Sequence, residues 1–323
     1  MHTELGHTKI IQTKNILSNL KDSHDKEYKY PFKGTCGVVI GCPRSGTTFL
    51  IDALQAMDHT DCASGQIYPI ALPHLVNQNL PTEAYQTLLN SFEFSIQDYL
   101  TVSNQSRLPC FQRWLNGTMS FAELMQGLNG NRQIERFIYK EPFLGFSPEL
   151  VYNALPEGRI VHIYRDGRDC ADSLVRKYKV LTDEKLMTLR TAEMPIGRKV
   201  DHRYVPWWVE IGEEEEFLRS SAFVRSVWMW KEIVKRCHAF FSQHSVQSSG
   251  RVLLVRYEDL VRSPEKCGRR IVEHLGGSMN SRLRKQFAQA KESSVGIHQR
   301  LSSEEIEKAN EIAQKELQMY DYL

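Results

Sequence analysis

Apolar positions recur along this chain with two spacings. Short, nearly continuous runs stand at 37–41, 137–141, 160–165 and 252–257, with 61–64 as a shorter one. Runs of this length, bounded by turn residues, predict strands buried on both faces. Elsewhere apolar residues fall three and four apart. Phe49, Leu50, Ala53 and Leu54 do so within 47–57, and Val224, Val227, Trp228, Ile233 and Val234 within 222–241. That spacing predicts helices, and a further one is expected over 170–178. In the 222–241 helix, Trp228 and Trp230 read as packing residues. Helical patterns between the strand runs imply βαβ units, hence an α/β fold with a mostly parallel central sheet flanked by helices.

The first strand run ends in Gly41-Cys42-Pro43-Arg44-Ser45-Gly46-Thr47-Thr48. A glycine-bearing turn that opens a helix aims backbone N–H groups at one spot, where the helix dipole adds positive potential. Ser45, Thr47 and Thr48 add hydroxyls and Arg44 a full charge. This is a phosphate cradle. It fits the P-loop spacing at Gly41, Gly46 and Thr48, but Thr47 stands where the P-loop lysine belongs. The cation sits earlier, at Arg44, which argues against ordinary ATP or GTP hydrolysis.

A second strand runs into Arg165-Asp166-Gly167-Arg168-Asp169 and a helix that carries Ser173, Arg176 and Lys177. Arg165 and Ser173 could hold a second phosphate; the alternative is a surface turn whose Arg and Asp residues pair with each other. Both turns would lie at the carboxyl ends of strands, where open α/β sheets bind ligands.

Pro43 to Leu50 resembles the 5′-phosphosulfate loop of sulfotransferases that use 3′-phosphoadenosine-5′-phosphosulfate (PAPS). Arg165 to Asp169, with Ser173, resembles their 3′-phosphate motif. Arg256-Tyr257-Glu258-Asp259-Leu260 before Pro264, and Ser294-Val295-Gly296 before Leu301, are similar to the family's later segments. The resemblance runs from about residue 37 to the C-terminus. It implies a P-loop-like three-layer fold. It also implies cofactor contacts from Arg44, Ser45, Gly46, Thr47, Thr48, Arg165, Ser173, Tyr257, Ser294, Gly296 and Arg300. Arg44 and the Lys140-Glu141-Pro142-Phe143 segment are closer to the bacterial and tyrosylprotein-type branches; mammalian cytosolic members usually carry Lys in the first loop and Lys-Thr-His at the second site.

By this resemblance PAPS is the sulfuryl donor, adenosine 3′,5′-bisphosphate the product, and no metal is required. Arg44 would stabilise the departing phosphate and Lys140 the transferring group. The acceptor base is less legible. Cytosolic members place His two residues after the lysine, where this chain has Pro142. Tyrosylprotein-type members use a Glu where this chain reads Ser64-Gly65-Gln66. Glu141, His74 and Asp61 are the candidates. Glu141 comes first because it adjoins Lys140, although neighbouring strand residues point to opposite sides. A weakly basic nitrogen acceptor would be another reason for a missing base.

The acceptor is expected to be a small molecule, such as a natural product. The glutamates of 210–216, next to Trp207 and Trp208, suggest a cationic one through cation–π and Coulomb attraction. The bland reading of that run is a solvated helix start. Gln66, His74 and Trp207 are candidate substrate contacts. A P-loop small-molecule kinase using Mg²⁺-ATP and a non-catalytic nucleotide-binding protein remain the alternatives.

Composition changes this picture little. With 41% hydrophobic and 25% charged residues the chain reads as a folded enzyme, and a net charge of +2 gives no reason to expect nucleic acid as a partner. The odd set of seven cysteines supports neither a zinc site nor a disulfide framework. With no apolar leader or run of ~18 apolar residues, a cytoplasmic protein without membrane contact is expected. A polar arm over 1–33 should precede a single domain over 34–323, with 66–135 and 179–221 as insertions that form substrate pocket and lid. No heptad pattern speaks to oligomeric state.

Overall fold

The computed structural model describes residues 32–65, 72–103, 107–129, 133–188 and 197–323, and Gly34–Leu323 forms one compact unit. The strands are β1 (Thr35–Ile40), β2 (Thr60–Ser64), β3 (Arg136–Lys140), β4 (Arg159–Tyr164), β5 (Gly197–Val200), β6 (Arg203–Pro206) and β7 (Val252–Arg256). Five of them form one parallel sheet in the order β2-β3-β1-β4-β7. Each of the apolar runs predicted as strands is one of these, within two residues at either end.

The continuous runs are explained by burial on both faces. On one face Val39, Ile138, Val161, Ile163 and Val255 pack with Leu50 and Leu54 of the helix Thr47–Leu54, and with Ile271, Leu275 and Phe287 from the helical segments beyond β7. On the other face Tyr139 meets Phe92 of the helix Thr82–Ser103 at 6.3 Å between rings. His162 meets Phe241 of the helix Ala222–Phe241 at 5.5 Å. Helix, sheet and helix make the three layers of this α/β fold.

The chain leaves β1 for β2 and β3 on one side, then returns to β4 on the other. The carboxyl ends of β3, β1 and β4 therefore lie side by side at the switch point, where such sheets hold ligands. Lys140, the loop after Ile40 and Arg165 stand at those ends.

Helix boundaries differ from the sequence reading for local reasons. The helix expected over 170–178 begins at Gly167, because the Asp166 side chain accepts from the Arg168 N–H at 2.9 Å and caps it. The helix expected over 47–57 ends at Leu54 and tightens, with Ala56 N–H to Ala53 O at 3.0 Å. The β5–β6 hairpin and the helices between β2 and β3 had no predicted counterpart. One of these, Phe121–Leu128, carries a capping box between Ser120 and Glu123 that the sequence displays. Trp228 and Trp230 are buried, as packing residues should be. All the cysteines are free thiols, and among the described residues no helix is long and apolar enough to cross a membrane.

His162 in β4 is fully buried and neither ring nitrogen has a partner. Burial lowers its pKa from 6.5 to about 3. A folded value below the unfolded one gives stability that is present above pH ~6.5 and declines as pH falls towards 3, at about 1.4 kcal/mol per pH unit. His162→Leu should therefore flatten the acid limb of a Tm-versus-pH curve between pH 6.5 and 4. An unchanged limb would show that other groups set it.

Candidate functional site

The loop between β1 and its helix is held open by backbone conformation. Gly41 has φ 151°, and a Cβ there would lie 2.1 Å from the Ile163 carbonyl oxygen. Gly46 has φ 106°, and a Cβ there would meet the Tyr257 ring at 2.5 Å. Arg44 between them also lies in the left-handed region, at φ 74°. The helix Thr47–Leu54 has no side-chain cap and no acidic residue in its first turn, so its leading N–H groups and positive dipole end are left for an anion. Ser45 Oγ is buried without a partner.

The second turn divides its labour. Arg165 reaches back to the first loop, with Nη1 donating to Arg44 O at 3.3 Å, and lies over the Tyr257 ring at 4.9 Å. Its own carbonyl accepts from Trp230 Nε1 at 2.9 Å. A Cβ on Gly167 would lie 2.3 Å from the Trp230 ring, so only glycine lets the helix come this close. Arg168 does not face the ligand side. It pairs with Asp166 at 2.8 Å and donates to Tyr322 O at 2.9 Å, which ties the helix to the C-terminus.

Asp169 holds down the segment that follows Ala290. Its carboxylate accepts from Gly296 N–H at 2.8 Å, His298 N–H at 3.1 Å and His298 Nδ1 at 2.7 Å, and pairs with Arg165 at 3.4 Å. Burial would raise this carboxyl, but the His298 hydrogen bonds and Arg165 outweigh it and the pKa falls. Arg165 also donates to Ser294 O, and Tyr257 OH lies 2.9 Å from Ser294 Oγ. The segment is thus strapped over the turn.

Under the strap lies a cleft of about 390 Å³ lined by Arg44, Gly46, Thr47, Thr48, Arg165, Ser173, Tyr257, Ser294 and Arg300, all anticipated from the sequence. Ser45 and Gly296 do not line it: the first is buried behind the loop, and the second has its N–H on Asp169. Arg176, Gln289 and Lys291 line it without having been singled out. Arg176 follows Ser173 by one helical turn, which is a readable signal; Gln289 and Lys291 arrive only through the strap. Arg44 and Ser173, expected at opposite ends of a ligand, are in contact, with Arg44 Nε donating to Ser173 Oγ at 2.9 Å.

A second cavity of about 680 Å³ opens on the other side of Arg44, Thr47 and Thr48, which line both. Lys140 lines it with Phe143, Leu174, Tyr178, Val180 and Met229. Glu141 does not: it is buried, its Oε1 accepts from Phe143 N–H at 3.1 Å, and burial raises its pKa. It caps the turn Pro142–Phe146, one residue past the end of β3. The His74 and Trp207 rings meet at 5.4 Å, tilted by 49°, and Trp207 packs on Phe146 at the same separation, outside the cavity. Asp61 pairs with Arg113 at 3.2 Å. Gln66 lies outside the described residues. The glutamate run also lies elsewhere, with Glu214 on Arg198 at 2.7 Å and Glu210 on Lys235 at 2.8 Å, so it gives this cavity no acidic wall. The sequence reading missed Asp52, one turn beyond Thr48, whose charge is opposed by Lys140 while burial raises its pKa.

Asp169→Asn should loosen the strap while leaving the sheet intact. Amide hydrogen exchange at Gly296 and His298 should speed up roughly 10- to 100-fold, the range for losing one charged hydrogen bond. Equal acceleration throughout β1 and β4 would instead mean global destabilisation.

Comparison with known proteins follows this geometry. No curated protein sequence matches the chain. Among solved structures it is similar to the sulfotransferase domain of the Synechococcus olefin synthase, at 14% identity and TM-score 0.43, covering 88% of this chain and 96% of that one. It is similar to a sulfotransferase of Mycobacterium avium, at 14% identity and TM-score 0.44, covering 94% and 81%. It is also similar to the sulfotransferase domain of the curacin biosynthetic pathway, at 13% identity and TM-score 0.42, covering 90% and 98%. Residues 38–218, over half of the chain, match the model of the sulfotransferase family. That span holds the anion loop, Lys140 and the Arg165 turn, and the chain belongs to the sulfotransferase family.

Proposed function

We propose that this protein transfers a sulfuryl group from PAPS to a hydroxyl or nitrogen of a small-molecule acceptor and releases adenosine 3′,5′-bisphosphate. The observation that carries the reading is the wall of Arg44, Thr47 and Thr48 shared by the two cavities. A group bound at that wall is reached by a donor from one side and an acceptor from the other. The residues present fit the donor. Arg165 Nε is buried without a partner among the described residues, and the helix N-terminus at Gly46 is uncapped.

When bound, the donor supplies an electrophilic sulfur on a phosphate leaving group. Arg44 neutralises charge on the departing 5′-phosphate. Lys140, on the acceptor side, stabilises the oxygens of the group in flight; positioning and electrostatics of this kind dominate related phosphoryl transfers. Arg165 and Ser173 hold the 3′-phosphate, so that Ser173 changes partner from Arg44 to the ligand. A 3′-phosphate carries about −1.5 to −2 charge, and Arg176, Lys291 and Arg300 at the same cleft add to its counter-charge. The free thiols support a reducing, cytoplasmic setting.

Adenosine 3′,5′-bisphosphate should raise the Tm, by roughly 5 °C when present at about 100 times its Kd. Mg²⁺-ATP should not match it. Arg165→Ala should weaken bisphosphate binding roughly 10- to 100-fold, the effect of one charge-assisted hydrogen bond. Stabilisation by Mg²⁺-ATP alone would sink the proposal in favour of a kinase.

Lys140 lines the acceptor side only, so Lys140→Ala should separate chemistry from donor binding. Its kcat should fall by roughly 10²–10³, with bisphosphate affinity nearly unchanged in a direct titration. A parallel loss of both would remove Lys140 from the catalytic role.

A further inference from the structure

The charge of the larger cavity points to the kind of acceptor it takes. Its walls are mostly apolar: Pro43, Pro142, Phe143, Leu174, Val180 and Met229. At about 680 Å³ it is of the size that holds a small organic ligand. Its charged lining residues are Arg44, Lys140 and Lys185, and among the described residues that line it there is no carboxylate. Arg44 belongs to the wall shared with the donor cleft, and Lys140 stands at the end of the adjacent strand β3. Lys185 comes from the separate helix Asp183–Thr188 and has no part in the donor cleft.

Lys185 is exposed and has no ion pair among the described residues. Its helix carries two acids, Asp183 and Glu184: Asp183 is engaged twice, by Arg225 at 2.9 Å and Arg203 at 3.1 Å, and among the described residues Glu184 forms no ion pair with Lys185. Arg225 is itself buried, donating to Leu181 O at 2.9 Å and to Phe217 O at 2.9 Å. The helix that presents Lys185 is thereby anchored while the ammonium stays free. A cavity with cations and apolar walls has positive potential, which attracts anions and repels cations.

We propose that the acceptor is an anionic amphiphile. Its apolar body lies against Phe143, Leu174 and Met229, its reacting group faces Lys140 and Arg44, and its carboxylate or similar anion is taken by Lys185. This rests on the reading of the cavity as the acceptor site. It replaces the cationic acceptor suggested by the glutamate run, none of whose carboxylates lines this cavity among the described residues.

The test is a calorimetric titration, without donor, of a medium-chain para-hydroxyphenylalkanoate, its methyl ester and the amine of equal length. The carboxylate should bind about tenfold tighter than the ester, as a partly screened charge-assisted contact gives, and the amine weakest. Added salt should narrow the gap. Lys185→Glu should reverse the order of carboxylate and amine. Equal binding of the three, binding of none, or a carboxylate preference that survives Lys185→Glu overturns the proposal. Adenosine 3′,5′-bisphosphate is titrated against the same variant. Lys185 does not touch the donor cleft, so retained bisphosphate affinity shows the variant folded. Absence of bisphosphate binding in the wild type fails the donor reading separately.

Discussion

A buried arginine cation sets the terms for the rest of this site. Arg165 stands just past β4, almost withdrawn from water. Such a charge is tolerated only when counter-charge and acceptors surround it. Its partners come from each segment that builds the smaller cleft: the Arg44 carbonyl from the first loop, Asp169 from the following helix, Ser294 O from the C-terminal strap and the Tyr257 ring from the end of β7. Compensating one guanidinium therefore fixes four stretches of chain that are remote in sequence. The RDGRD turn follows from this. Asp166 caps the helix, Gly167 admits Trp230, and Asp169 balances Arg165 while gripping the strap.

The sheet was legible because its central strands β1, β3 and β4 are buried on both faces and so are rich in apolar residues. The long helix Ala222–Phe241 was legible because its apolar stripe has helical spacing. The cradle at Gly41–Gly46 was legible because a glycine turn between strand and helix has few other uses. The β5–β6 hairpin was not, since its four-residue strands are only partly buried and carry no clear alternation. Nor was the grip of Asp169 on Gly296 and His298, a contact across more than a hundred residues that no local pattern encodes. Glu141 shows the opposite error. Adjacency to Lys140 in sequence suggested a shared site, yet the Glu141 carboxylate accepts from Phe143 N–H in the following turn and lines neither cavity.

The aromatic and acidic residues near Trp207 illustrate a similar limit. In sequence, Trp207, Trp208 and the glutamates form a plausible cation receptor. In the fold Trp208 turns into the core, Trp207 packs against His74 and Phe146 under Arg236, and Glu210, Glu214 and Glu216 pair with Lys235, Arg198 and Lys308 on other elements. A charge run acquires meaning only once its counter-ions are known. The same rule read forwards gives weight to Lys185, which has no ion pair among the described residues.

The shared wall also constrains what variation at this site can do. Arg44, Thr47 and Thr48 line both cavities, so under the proposed reading a change there alters donor and acceptor binding together. Lys140 and Lys185 serve one cavity, and Arg165 and Ser173 the other. Besides Lys140 at the end of β3, the larger cavity is lined by Phe143, Met229, the end of the Ser173 helix and the segment held by Arg225, none of which contributes to the sheet. Under the proposed reading, acceptor preference can thus shift through side chains on separate supports, while the buried Arg165 network keeps the smaller cleft in place.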